Sequence, residues 1–464
     1  MRLFPSRGRS VGPAPSGLFF YRAFCYYHLA FFAVIQPIFV LSKAFQDKFL
    51  RHNAIVFSGS MAAAFLNYLF HPVLSRLMSV QDFGEVETLL SLYGNLMFLG
   101  MFGTIVVNIV ANTDSGKADE VREHMVVITR LMQLATAVAL CLLVGIVILS
   151  TRLQGFFHFS SWLPFVALAP TVLISVSNVF RRAYLRGVLN FKAGALADIL
   201  TAFCRLTAAA VLVWLGWRSF GAMIGIVLSM IAGWIFIFSR SRHGFNYVRG
   251  TRLRLDDRMR KELKYGLLIL VVSVITTAFT MADVLIVKHY FQPTEAGLYS
   301  GVATIARIVV YVTGSVTAVL APSVKMRGAH DENLALLRKA LALVLLLGGP
   351  TSIFFSLVPA FTLKLLIGTR YAAAAGLLPP LSLAMLLLAV ANTFFGYHVA
   401  LRHYFSAAAG VAGLGVALVL ARLHHPTPLA VIYDLMAGMA VSLAVFAAWW
   451  LRPARKTGSY VPAA

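Results

Sequence analysis

SRSRHGFNYVRGTRLRLDDRMRKELK, residues 239–264, is the longest basic stretch of the chain. On either side of it, runs of about 20 residues nearly free of charge recur along the sequence. As a helix rising about 1.5 Å per residue, each run is long enough to cross a hydrocarbon layer about 30 Å thick. Reading these runs against glycine, proline and charge breakers places six before the basic stretch, near residues 53–75, 86–111, 125–149, 161–180, 193–215 and 219–239. Six more follow it, near 265–288, 299–322, 340–362, 375–398, 405–421 and 427–451. The expected fold is an all-α polytopic membrane protein of about twelve transmembrane helices, arranged as two six-helix lobes.

Composition supports lipid as the solvent. The 464 residues are 59% hydrophobic and 12% charged, with a mean hydropathy of +0.81, whereas soluble domains are about 25% charged. The net charge of +23 would suggest nucleic-acid binding in a soluble protein, but here the basic residues sit in short connections, where they orient the chain in a membrane. Summing Lys and Arg over alternate connections gives about 26 on one side, including Arg181, Arg182, Arg186, Arg402 and the 239–264 stretch, against about seven on the other. The smaller set holds Arg76, Arg152, Arg218, Lys288, Lys364, Arg370 and Arg422. The richer side is expected to be cytoplasmic, which puts both ends of the bundle there. Cys25, Cys141 and Cys204 lie in apolar runs without CxxC or metal-ligand spacing, and read as inert core residues.

The expected organisation is an N-terminal extension over residues 1–50, a first lobe over 51–239, a basic cytoplasmic linker over 240–264, a second lobe over 265–451 and a cytoplasmic tail over 452–464. Within the extension, residues 17–41 form an apolar, aromatic-rich run broken by Arg22 and His28. A membrane crossing there would put Arg2, Arg7 and Arg9 outside, so the run reads as interfacial. At an offset of about 213 residues, SVQDFGEVE (79–87) falls over QPTEAGLYS (292–300), matching Asp82 to Glu295 and Gly84 to Gly297. An even helix count per repeat gives both halves the same orientation, with a pseudo-twofold axis along the membrane normal and a substrate path between the lobes.

A charge within a transmembrane helix costs roughly 2.5–3.5 kcal/mol on insertion scales, so each one needs a partner, water or a function. Asp198 and Arg205 in the fifth helix share a face about 10 Å apart along the axis. They read either as one polar wall of a substrate cavity or as members of two separate structural pairs. Asp283 in the seventh helix and Arg307 in the eighth lie at comparable depth, and read as an ion pair or as substrate and gating groups. Asp434 in the twelfth helix is an alternative partner for Arg307 and a candidate for gating or ion coupling. Asn67 and His71, one turn apart before Pro72, read as a hydrogen-bonded pair or as gating or coupling groups. No motif calls for a cofactor or a metal, and without a GxxxxGK[ST] loop the chain is not itself the ATPase of a pump. The outer connections are too short and too poor in clustered polar residues for an outward active site, which places a membrane-embedded polymerase or ligase behind a transporter.

Residues 281–324, MADVLIVKHYFQPTEAGLYSGVATIARIVVYVTGSVTAVLAPSV, resemble the seventh and eighth helices of the Wzx-like polysaccharide flippases of the MOP exporter superfamily. Asp283, Glu295, Gly297, Tyr299 and Arg307 carry the likeness, and LSRLMSVQDFGEVETLL (74–90) looks like the family's first loop. The resemblance implies a MATE-like fold that moves a polyprenyl-pyrophosphate-linked oligosaccharide across the bacterial inner membrane by alternating access. That activity serves lipopolysaccharide or exopolysaccharide assembly, alongside polysaccharide-assembly partners. Arginines such as Arg205 and Arg307 would then meet phosphate. The alternative within the superfamily is a cation-coupled multidrug exporter. Its members often carry a carboxylate in the first helix, where this chain offers Asn67 and His71.

Overall fold

The computed structural model describes residues 48–97, 100, 102–111, 118–241, 257–324 and 330–450. By its internal packing the chain divides into two units, Met1–Gly59 and Ser60–Ala464. The first is described only over residues 48–59, the start of a helix that runs to Leu77, and every contact below lies within the second. The readings of residues 1–50 as an extension and 452–464 as a tail fall on residues outside those described.

The first half holds α1 (Lys48–Leu77), α2 (Val80–Leu96), α3 (Phe102–Ala111), α4 (Ala118–Phe156), α5 (Leu163–Gly187), α6 (Phe191–Leu212) and α7 (Arg218–Ser241). The second holds α8 (Asp257–Tyr290), α9 (Pro293–Ala306), α10 (Ile308–Ser323), α11 (His330–Leu357), α12 (Pro359–Leu366), α13 (Leu378–Ala400), α14 (Phe405–Leu423) and α15 (Pro428–Trp450). Taking α2 with α3, α9 with α10 and α12 with α13 as interrupted crossings, each half makes six passes. Among the described residues nine helical stretches are long and apolar enough to span a membrane, and one of them, Phe191–Ser241, contains both α6 and α7. The structure corrects two boundaries. Helix α8 begins at Asp257, inside the stretch read as linker, and α2 begins at Val80 rather than near residue 86.

Local chemistry sets these ends. Ser79 caps α2, its hydroxyl accepting from the Asp82 N–H at 3.1 Å and donating to the Asp82 carboxylate at 2.7 Å. Pro293 occupies the first turn of α9, where a missing N–H costs nothing. Gly368, at φ +117°, supplies the left-handed turn between α12 and a 3-10 segment, Thr369–Leu377.

The repeat read at residues 79–87 extends along the chain. Helix ends at 77 and 290, starts at 80 and 293, and ends at 187 and 400 are each 213 residues apart (290 − 77, 293 − 80, 400 − 187). Equivalent elements pack alike: α6 on α7 and α14 on α15, α3 on α5 and α10 on α13. The halves join chiefly through α2, which lies against α9 and α8. The aligned residues Gly84 and Gly297 meet there. A Cβ built on Gly84 would stand 2.6 Å from the Gly297 Cα, and one on Gly297 would meet the Val80 carbonyl. Equivalent residues touch only where the pseudo-twofold axis passes between them.

Hydrogen bonds between the halves gather at the same end of the bundle. Ser75 donates to the Ile367 carbonyl at 2.7 Å and Arg76 to that of Leu365 at 2.9 Å, while Arg370 donates to that of Met78 at 3.0 Å. The His289 ring stacks on Phe156 at 3.8 Å. Lys288, grouped by sequence with the exposed connections, is fully buried, with its ammonium over the Phe159 ring at 5.2 Å. Cys141 is exposed on α4 and Cys204 is half-buried on α6, so neither is the core residue the sequence suggests. Exposed apolar side chains such as Leu134, Ile148 and Leu149 make α4 a lipid-facing helix.

A side chain at the α2–α9 crossing should force the halves apart. Gly84→Val is expected to cost about 1–3 kcal/mol, read as a lower denaturation midpoint of the purified protein in detergent. Gly145→Val, at a glycine with nothing within 4 Å, should leave that midpoint in place.

Candidate substrate cavity

Between the halves, on the inner side of the α2–α9 crossing, lies a cavity of about 900 Å³. Its walls come from α1 (Asn67, His71), α2 (Glu87), α6 (Arg205), the α9–α10 break (Arg307) and α10 (Tyr311), so both halves contribute charge. Most of the remaining lining is apolar, with Leu90, Met281, Ile308 and Phe355 among it.

Arg205 is held without being neutralised. Its guanidinium stands 4.3 Å over the Phe70 ring, and its Nη2 donates to the Asn67 carbonyl at 3.4 Å. Among the described residues its buried Nε has no hydrogen-bond partner, and no carboxylate lies within ion-pair distance of the guanidinium. An aromatic face and a carbonyl stabilise a cation without forming an ion pair with it, so its charge is met only at longer range, by Glu87 in the same cavity.

Arg307 is treated differently. Its Nη2 bonds Asp283 at 2.9 Å, its Nε donates to the Thr280 carbonyl at 2.9 Å, and the Tyr299 hydroxyl donates to the other oxygen of Asp283 at 3.2 Å. Asp283 is fully buried and Arg307 nearly so. The pair fastens α8 to the α9–α10 break, and Asp434 takes no part in it. Removing one member of such a buried pair strands the other.

His71 does not pair with Asn67. Its Nδ1 lies 2.6 Å from Oε1 of Glu87. Glu87, 2% exposed, is the cavity residue that sequence reasoning did not single out. Asn67 contributes its backbone carbonyl to the site.

The other candidates lie apart. Asp198 forms an ion pair with Arg182 beside a side cavity of about 280 Å³ that shares Ala64 and Asn67 with the main one. Asp198 and Arg205 therefore do not form one polar wall, because Arg182, at the end of the preceding helix, reaches Asp198 first. Asp434 is buried on α15, with Oδ2 unpartnered among the described residues, and does not line the main cavity. Among the described residues no group of three or more His, Cys, Asp or Glu side chains is placed to hold a metal.

The model of the polysaccharide biosynthesis protein family matches residues 49–326, more than half the chain. The chain belongs to this family. Among solved structures it is similar to the lipid II flippase MurJ in an inward closed conformation, at 12% identity and TM-score 0.63, covering 85% of this chain and 87% of that one. It is also similar to an inward-facing multidrug resistance MATE family transporter of the MOP superfamily, at 13% identity and TM-score 0.61, covering 83% and 94%. A third likeness is to a MOP superfamily transporter from Pyrococcus furiosus, at 13% identity and TM-score 0.52, covering 86% and 93%. No curated protein matches the sequence. These likenesses establish the MOP-superfamily fold, shared by transporters and flippases.

The Asp283–Arg307 clamp generates a test. Asp283→Asn and Arg307→Ala should each destabilise by about 3–5 kcal/mol, because each leaves a buried charge alone. The exchange Asp283→Arg with Arg307→Asp should recover part of that loss in a denaturation series, and an exchange no better than the worse single variant would count against a paired role.

Proposed function

We propose that this protein flips a polyprenyl-pyrophosphate-linked oligosaccharide across a bacterial inner membrane by alternating access, with phosphate meeting Arg205. The observation that carries this reading is a guanidinium in no ion pair among the described residues, facing a large cavity between two halves. A pyrophosphate and sugar hydroxyls cannot cross hydrocarbon unshielded, whereas a polyprenyl tail can remain in the bilayer. A fixed cation offsets the phosphate charge by charge-assisted hydrogen bonds. Arg307, already balanced by Asp283, lines the same cavity and orients rather than attracts. Family membership in polysaccharide biosynthesis agrees with such a substrate.

On this reading the bundle has both ends in the cytoplasm, following the Lys and Arg asymmetry, and the closed α2–α9 end faces outward. The cavity then opens toward the side on which lipid-linked sugars are assembled. In a background lacking the three native cysteines, a periplasmic thiol reagent should modify Gln292→Cys and spare Leu189→Cys, both at exposed positions. The reverse pattern would invert the topology.

Glu87 favours a second reading, cation-coupled drug export, because it gives the cavity a buried carboxylate. Reconstitution with a fluorescent lipid-linked oligosaccharide separates the two. Arg205→Ala should lose most transfer to the opposite leaflet, and Arg205→Lys, which keeps charge but loses the planar two-pronged geometry, should keep part of it. Full transfer by the alanine variant removes Arg205 from the mechanism, and drug efflux without sugar-lipid transfer favours the second reading.

A further inference from the structure

A second groove, of about 370 Å³, lies between α8, α10 and α13, all of the second half. Its polar lining is Ser273 and Thr276 of α8, Thr313 and Thr317 of α10 and Asn392 of α13, and among the described residues no charged side chain lines it. The Thr276 hydroxyl donates to the Ser273 carbonyl at 3.1 Å and the Thr313 hydroxyl to that of Val309 at 2.8 Å. Each has spent its one proton and presents only lone pairs. The buried Oδ1 of Asn392 has no partner among the described residues. Gly314 keeps the wall open, since a Cβ there would meet nothing within 4 Å. In the first half the 213-residue repeat sets Val179 in place of Asn392 and Ala63 in place of Thr276. Val179 packs on Gly103, where a Cβ would stand 3.2 Å from it, so apolar packing takes the position that carries polar groups in the second half.

We propose that this groove is a saccharide subsite, which holds a neutral, hydroxyl-rich ring of the transported oligosaccharide and so selects among sugars. This rests on the phosphate reading of Arg205, since the ring that reaches the groove is joined to that phosphate. Acceptors without protons of their own call for a ligand that donates, and sugar hydroxyls donate and accept at once. A phosphate would find no cation here. A metal ion would find no carboxylate to balance it, and a groove this wide cannot close oxygen ligands round one at about 2.3–2.6 Å. The volume instead falls within the range of about 300–1,000 Å³ usual for small organic ligands.

Helices α8 and α10 line both spaces, meeting the anion site through Met281 and Ile308. Thr313 and Thr317 lie six and ten residues beyond Arg307 (313 − 307, 317 − 307), on the side away from the α2–α9 crossing. Those steps are about 9 and 15 Å along the helix axis. A bare pyrophosphate does not span that distance, whereas a short oligosaccharide does. Phosphate and sugar are therefore met by separate groups, the first deciding whether a charged headgroup is held and the second which sugars it carries.

The test uses the full chain in nanodiscs and compares farnesyl pyrophosphate with the same lipid carrying a glucose, a galactose or an N-acetylglucosamine trisaccharide. In wild type at least one sugar probe should bind about tenfold tighter than the bare one, the scale of two neutral hydrogen bonds. Gly314→Leu fills the groove where a side chain has room, and Asn392→Ala removes the free acceptor. Each should lose most of the sugar gain while binding the bare probe within about twofold of wild type, and retained binding of the bare probe shows that each variant is folded. No sugar probe tighter than the bare one in wild type, or a gain that survives either variant, overturns the proposal. Sodium-dependent binding of the bare probe that Asn392→Ala abolishes would assign the groove to a cation and overturns it too. In each of these cases, loss of the bare probe in Arg205→Ala leaves the phosphate reading standing. If wild type does not bind the bare probe, or Arg205→Ala binds it equally well, that reading falls and the saccharide subsite with it.

Discussion

The crossing of α2 over α9 sets the terms for everything beneath it. Two backbones approach at Gly84 and Gly297 because neither residue has a Cβ, and close approach of this kind is how helices associate where lipid offers no hydrophobic drive. With the halves joined there, the first turns of α2 become interior. Asp82, Glu85 and Glu87 are all at most 5% exposed. A buried carboxylate must be met by donors or a counter-charge, and the donors come from whatever lies nearest: the cap residue Ser79, the Ser160 loop, Ser219 at the start of α7, and His71 of α1. One steric fact at a glycine pair thus decides where four separate polar contacts form.

The same junction explains what could be read in advance. Apolar run length and loop charge are properties of short windows, and they locate the passes because the bilayer acts on each helix separately. The 213-residue offset was legible at residues 79–87 because the glycine at the axis cannot change freely. Depth makes Asp283 one candidate partner for Arg307 beside Asp434, since adjacent antiparallel segments bring equal depths together, and the structure selects Asp283. Glu87 could not be found this way. Three acids within six residues lower the local hydropathy, so the apolar run appears to start near residue 86 although the helix starts at Val80. The apolar-run boundary therefore puts Glu87 at the mouth of a helix in which it lies about two turns deep. Asp198 failed for another reason, since helical spacing gives the face of a residue but not the arginine that a neighbouring helix brings to it.

Two arginines in one cavity have been given different environments, and the difference is chemical. Arg307 spends its donors on Asp283 and a carbonyl, which makes it rigid and electrically silent. Arg205 lies over Phe70 and touches only a carbonyl, which holds the side chain in place yet leaves its field directed into the cavity. On the phosphate reading proposed above, a site that binds an anion and later releases it gains from this division. A second uncompensated cation would deepen the well and slow departure, while a neutralised one still supplies shape. Glu87 tempers the Arg205 charge at longer range, held by His71 and apart from the clamp that fastens α8 to the α9–α10 break.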